Sequence, residues 1–302
     1  MFRLWDNFSS HTDSIYWTIY QLIWKDMENK MGNSTINFKS FDLSTAEDVI
    51  KKILTDTNKF DHLDYLPSLD NALSYTNGAY VKNTAFFIDI RNSSKLIKKE
   101  GYERRIIARF YRSYISEIIA VLRSHECCRE INIVGDCVSA IFVENKDKSG
   151  EYKDRSDVIE ALESASMFNP LLGIINNLFS KHYKRRIDIK SGVGIATGEA
   201  LVIQAGEKGS GINKPIFLGD NVNTAAHLCD KANNENYPYF TLTDQNVKDN
   251  CKRYIANPDN QTFADFLATQ FPTDEGKYFY GGNFWRIPFN DRLKELQNDC
   301  NF

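Results

Sequence analysis

From Thr84 onward the sequence alternates strand-length apolar runs with long helical stretches, and that alternation confines the chain to a mixed α/β architecture. Thr84-Ala-Phe-Phe-Ile-Asp-Ile reads as a buried strand, and Arg91-Asn-Ser-Ser supplies the short polar side chains of a helix start. A helix is expected from Glu103 to Leu122, where apolar residues recur at Ile106, Ile107, Phe110, Ile115, Ile118 and Ile119. Ile131-Asn-Ile-Val and Cys137-Val-Ser-Ala-Ile-Phe-Val follow as two strands joined through Gly135-Asp136. The charged segment Asn145–Asp154 reads as a loop, and the helix from Ser156 to Tyr183 is expected to kink or split at Pro170. Strands are expected at 187–197 and 199–205 on either side of Gly198, and a glycine-rich loop begins at Gly206. A helix capped by Asp220 or Asn221 should then run to about Ala232. The chain closes with a strand at Tyr239–Thr243 and a hairpin of Lys277–Tyr280 with Asn283–Ile287, stopped by Pro288.

The first 78 residues differ in texture. Aromatic-rich segments flank the polar stretch Asn29–Ser40, and Ile15, Thr18, Ile19 and Leu22 form an apolar face at helical spacing suited to packing on another domain or subunit. Residues 1–78 are therefore expected to be an accessory helical region and 79–302 the main domain. The composition is that of a folded protein, with 42% apolar residues, 25% charged and 7 prolines. Lys and Arg number 37 against 40 Asp and Glu, a net 37 − 40 = −3, which argues against nucleic acid or anionic membrane as a partner. A polyanionic ligand would have to be met locally. The six cysteines show no metal-binding spacing and read as reduced thiols, and neither a secretory leader nor a run of about 18 apolar residues is evident. A cytoplasmic protein without a membrane span is expected.

Two acids occupy strand ends, Asp89 on the first strand and Asp136 at the hairpin tip, 136 − 89 = 47 residues apart. An isolated Asp in such a place is ordinarily a turn or cap residue. Two that share a site are what phosphoryl chemistry with two metal ions needs, because Mg²⁺ is held by one or two carboxylates together with substrate phosphates.

The words around these acids are specific. Phe86-Phe-Ile-Asp-Ile-Arg-Asn-Ser-Ser and Ile133-Val-Gly-Asp-Cys-Val-Ser-Ala-Ile-Phe resemble the two metal motifs of the class III nucleotide cyclases. Ile189-Lys-Ser-Gly-Val-Gly-Ile-Ala-Thr-Gly and Phe217-Leu-Gly-Asp-Asn-Val-Asn-Thr-Ala-Ala-His-Leu resemble that family's central strand and catalytic helix, in the family's order, across roughly residues 80 to 290. The resemblance implies a ferredoxin-like βαββαβ core with added strands and a head-to-tail homodimer whose composite active sites close a nucleoside triphosphate to a 3′,5′-cyclic monophosphate. It implies that Asp89, Asp136 and the Ile90 carbonyl hold two divalent ions, Mg²⁺ or Mn²⁺, and that Asn223 of the other protomer orients the ribose. The backbone amides of Asn92, Ser93 and Ser94, at a helix start, and Lys190, where the family often has a phosphate-binding Arg, are expected on the phosphates.

Three places depart from the family. His227 stands where an Arg normally follows the Asn by one helical turn; it can donate a hydrogen bond but lacks the guanidinium fork. Tyr280 stands where a late phosphate-binding Lys is expected, leaving Lys277 to substitute. At the base-selecting positions, Asn132 and Ile216 match neither the adenine nor the guanine pattern, and Ile216 offers a purine edge no hydrogen bond. This resembles the pyrimidine cyclases of the bacterial Pycsar antiphage system, which make cyclic UMP or cyclic CMP for a cyclic-nucleotide-responsive effector. Phe86, Phe217 and Tyr280 are candidates to fill the space left by a smaller base. A divergent adenylyl cyclase and an inactive cyclase-like nucleotide-sensing or dimerisation module are the alternatives.

Overall fold

The computed structural model describes residues 40–57, 59–63, 73–94, 103–144, 155–206, 213–273 and 276–298. The apolar face at Ile15–Leu22, the loop 145–154 and most of the glycine-rich loop after Gly206 lie outside the described residues. The chain divides into a small unit, 1–54 with 205–214, and a large one, 55–204 with 215–302. In the small unit the chief described element is most of α1 (Leu43–Asp56), started by Asp42, whose carboxylate accepts hydrogen bonds from the Ser44 and Thr45 amides.

The large unit is built on β2 (Asn77–Ile90), a 14-residue strand buried along most of its length. It is followed by α2 (Arg104–Arg123), the hairpin β3 (Cys128–Val134) and β4 (Cys137–Phe142), α3 (Ser156–Tyr183) and β5 (Ser191–Gly206). The order β3-β4-β2-β5 is that of a ferredoxin-like βαββαβ core, as the resemblance implies. The sheet is extended beyond β5 by β7 (Thr241–Asp244), β9 (Tyr278–Gly282) and β8 (Thr269–Pro272), while β1 (Lys59–Leu63) pairs with β2 and β6 (Asn213–Leu218) with β5. Four helices complete the description: α4 (Asp220–Lys231), the short α5 (Gln245–Asp249) and α6 (Phe263–Phe266), and α7 (Ile287–Asn298).

Strand alternation sorts β2 into two faces. Phe86, Ile88 and Ile90 enter the larger core with Phe110, Tyr114 and Leu122 of α2 and Leu162, Ala165 and Phe168 of α3. Ala79, Val81 and Ala85 face the opposite way, into a smaller core shared with Ala196, Ala200, Phe217 and Ala225 of α4. Asn83, Asp89 and Arg91 have the same parity as the second set and so look toward α4. Helix α4 lies very close to β5. A Cβ added at Gly194 would stand 2.1 Å from the Ala225 carbonyl oxygen and 2.2 Å from the Cys229 nitrogen, so only glycine fits.

Several expectations are corrected. Pro170 does not split α3: the Ser166 carbonyl, which loses its partner because Pro170 has no N–H, accepts a 2.7 Å bond from the Arg286 amide instead. One strand, Ser191–Gly206, replaces the two expected around Gly198 and starts four residues late, because its pairing with β2 runs through Gly198 without a break. Neither Asp220 nor Asn221 caps α4, whose N-cap is Gly219; Asn221 turns into the sheet instead. The closing hairpin is absent. β9 pairs with β7 and β8, and Pro288 sits in the first turn of α7, where its missing N–H costs nothing. Among the described residues α3 alone is long and apolar enough to cross a membrane, but 67% of its apolar window is buried inside this fold, as in a core helix.

Candidate active site

Asp89 is the next-to-last residue of β2, paired in register with Gly192, and Asp136 occupies the turn of the β3–β4 hairpin after Gly135, whose φ of 67° suits glycine. Because β4 lies directly beside β2, with Ile88 opposite Val138, the two acids meet at one end of the sheet. They stand within hydrogen-bonding reach of each other, and the Asp89 carboxyl is pushed up to about 6, first by burial and then by its hydrogen bond with Asp136 and that group's charge. The guanidinium of Arg91, 3.5 Å from the Asp89 carboxylate, pulls the other way without cancelling these effects. Asp136 Oδ2 is buried and has no hydrogen-bond partner.

A buried carboxylate oxygen without a donor, next to a carboxyl that resists ionisation, is an arrangement that a cation between them would relieve. Among the described residues no group of three or more His, Cys, Asp and Glu could hold a metal. Two carboxylates alone suit Mg²⁺ or Mn²⁺, which complete their shells with water and phosphate oxygens, better than a zinc-type cage. The residues present fit the ions that the motifs imply.

The other phosphate-side residues gather at the same sheet end. Ile90 closes β2 opposite Ser191, and the Arg91 amide donates a 2.7 Å bond to the Lys190 carbonyl, so Lys190 stands beside the carboxylate strand with an exposed side chain. Asn92 takes a left-handed turn (φ 57°), and a helical turn begins at Ser93 and Ser94. Asn132 is on β3, opposite Ser139, on the hairpin that ends at Asp136.

The remaining expected residues are not brought there. Asn223 and His227 both project into solvent from α4. The first turn of that helix is rooted at Asn83, where the Asn221 amide nitrogen donates to the Asn83 side chain (2.9 Å) and carbonyl (3.2 Å). Asn83 precedes Asp89 by six residues, about 20 Å of strand. Ile216 is 42% exposed on β6. Lys277 is exposed at the turn leading into β9, its amide donating to Thr273 Oγ1. Tyr280, at the position of the missing lysine, is buried; its hydroxyl donates to Gln245, and Lys248 lies 4.2 Å over its ring while donating to the Leu267 carbonyl. Phe86, Phe217 and Tyr280 are core side chains, so the suggestion that they fill a base pocket is withdrawn.

No family model matches the chain. Among curated proteins, the uridylate cyclase of Gulbenkiania mobilis is 40% identical over 258 residues, 85% of this chain and 97% of that protein. The chain belongs to the class III nucleotide cyclases. A second relative of the cyclase, the uridylate cyclase of Treponema porcinum, is 31% identical over 84% of this chain and 82% of that one. The fold of the present chain matches the crystal structure of the adenylyl cyclase CyaB from P. aeruginosa with a TM-score of 0.55 at 18% identity, covering 69% of this chain and 97% of that one.

Sequence inspection missed three polar residues of the cyclase, near the acids or farther back along β2. Arg91 is visible in the first motif, but its partner, the Asp230 carbonyl, lies 139 residues away. Asn83 precedes the motif and gains its meaning only from Asn221, 138 residues on. Tyr111 of α2 has a buried hydroxyl whose ionisation is pushed up by burial and by the charges of Asp136 and Asp89. A polar group interrupting an apolar helical face was the available signal for Tyr111.

Proposed function

We propose that the cyclase converts UTP to 3′,5′-cyclic UMP and pyrophosphate, with CTP as the other pyrimidine candidate, in composite sites at a homodimer interface. The reaction forms a bond between the ribose 3′-oxygen and the α-phosphorus, breaks the bond to pyrophosphate and releases the 3′-hydroxyl proton. Two divalent ions held by Asp89, Asp136 and the Ile90 carbonyl would acidify that hydroxyl and neutralise the departing phosphates. Lys190 and the amides of Asn92, Ser93 and Ser94 are assigned to the phosphates, as is Lys277 from the second chain. Asn223 is assigned to the ribose, and His227 to an α-phosphate oxygen as hydrogen-bond donor.

The observation that carries the substrate assignment is at the base-selecting positions. Ile216 offers only methyl groups, and Asn132 offers one amide, which presents a donor and an acceptor to the edge of a single ring. The names of the two curated relatives favour the same class. The exposed apolar residues Ile133 and Val134 on the hairpin, and Ile216 and Leu218 on β6, support a dimer, since a second copy would cover them. So does the placement of Asn223, exposed on α4 where a second copy can reach it. A cyclic pyrimidine product serves here as a signal to a cyclic-nucleotide-responsive effector in antiphage defence, within the cytoplasm.

The test is a competition among equimolar ATP, GTP, CTP and UTP with Mn²⁺, with cyclic products identified by mass spectrometry. Cyclic UMP should dominate, and Asn132→Lys combined with Ile216→Asp should raise the share of cyclic AMP. Mainly cyclic AMP or cyclic GMP from the wild-type protein would refute the pyrimidine assignment.

A further inference from the structure

Arg91 joins parts of the molecule that serve different purposes. Its Nη1 donates a 2.6 Å bond to the carbonyl of Asp230, in the last turn of α4. Its Nη2 donates to the Asp89 carbonyl at 3.2 Å and lies 3.5 Å from the Asp89 carboxylate. The side chain is only 10% exposed. A buried cation must be paired, and the carbonyls that end a helix are unsatisfied and carry negative partial charge. The guanidinium, with donors fixed in a plane, meets both needs at once.

Besides its close packing on β5, helix α4 carries a polar anchor at each end, the Asn221–Asn83 amide contact at its start and Arg91 at its finish. The exposed residues Asn223 and His227 lie between these anchors. Loss of the Arg91 anchor would loosen the last turn of the helix and disturb His227 more than Asn223, because His227 is nearer that end.

We propose that Arg91 is a positioning residue that couples the two active sites of the dimer. The inference rests on the composite-site assignment above. In such a dimer, the carboxylates of one chain work with α4 of its partner, so the Asp89 that Arg91 touches belongs to one site and the α4 it holds belongs to the other. A cation on Asp89 would compete with Arg91 for the carboxylate, leaving the guanidinium to its bond with the Asp230 carbonyl. Occupancy of one site thus bears on the placement of the helix that completes the other.

Mixed dimers separate this role from a local one. One chain carries Asp136→Ala and keeps an intact α4; the other carries Asn223→Ala and keeps intact carboxylates, leaving a single complete site. Arg91→Gln is then placed in either chain. In the Asp136→Ala chain it touches only the α4 donated to the working site, and we expect kcat to fall by about fivefold or more while Mn²⁺ half-saturation stays within about twofold. In the Asn223→Ala chain the same change should weaken Mn²⁺ half-saturation. In metal-free homodimers, amide hydrogen exchange in the last turn of α4 should accelerate by about threefold or more in Arg91→Gln, with the β3–β4 hairpin unchanged. Unchanged kcat with the substitution in the Asp136→Ala chain, or unchanged exchange in α4, would overturn the coupling and leave the composite site standing. A mixture inactive before Arg91 is altered, despite demonstrated subunit exchange, would overturn both. If Arg91→Gln chains fail to form dimers, Arg91→Lys is judged by the same criteria, since an ammonium cannot span Asp89 and Asp230 together.

Discussion

Replacing Asp89 with Asn should stabilise the metal-free protein at neutral and alkaline pH while abolishing its activity. In the folded chain the Asp89 carboxyl is pushed from 3.8 up to about 6 by burial and by Asp136, so ionisation opposes folding there. The raised value means that the folded state binds the proton more tightly than the unfolded state. The penalty is accordingly absent below about pH 4, develops between about pH 4 and 6, and is complete above that. A shift of this size corresponds to at most ~3 kcal/mol, and with the side chain 32% exposed solvent screening reduces it to roughly 1–2 kcal/mol. The Arg91 ion pair is already contained in that net shift, because it acts in the opposite direction. Asn keeps the shape and removes the charge, so in EDTA at about pH 8 Tm should rise by about 2–6 °C, and at about pH 4 the gain should vanish. Saturating Mn²⁺ should close the gap by stabilising the wild-type protein alone. Cyclase activity should fall by orders of magnitude, each 1.36 kcal/mol of lost transition-state stabilisation being about tenfold. A variant equal to or less stable than wild type in EDTA at alkaline pH would refute the burial and crowding of the Asp89 carboxylate on which the metal assignment rests.

Gly194→Ala would drive a methyl group into the backbone of α4 at Ala225 and Cys229, and should destabilise by about 3 kcal/mol or more, read as a lowered urea midpoint. Asp244, whose carboxylate caps α5 by accepting a 2.9 Å bond from the Val247 amide, is pushed up to about 7, mainly by burial. Asp244→Asn keeps an acceptor for that amide and should raise Tm above about pH 7, with no gain below about pH 4 in a calorimetric series.

The fold was legible where local pattern decides it. The Gly135-Asp136 turn and the helix ending near Leu122 were placed to within a residue or two, the apolar run at Thr84–Ile90 marked only the second half of a strand that begins at Asn77, and the motif words carried the βαββαβ order. Errors arose where a distant segment settles a local question. Pro170 stays inside one helix because Arg286 satisfies the carbonyl that proline orphans, and Asn221 prefers the sheet to the cap because Asn83 waits there. At the site, the acids could be found because a carboxylate at a strand end is conspicuous. Arg91 could not be given a role, since a guanidinium in a motif says nothing about a carbonyl 139 residues later.

The bond from Arg286 to the Ser166 carbonyl also bears on the order in which the molecule can mature. During synthesis the middle of α3 leaves the ribosome more than a hundred residues before the segment that completes it, so the central turn must wait with an exposed acceptor until Arg286 has been made. Chains released before Arg286 would carry the motifs and most of the sheet, yet hold an unfinished core helix, marking them for proteolysis at its midpoint.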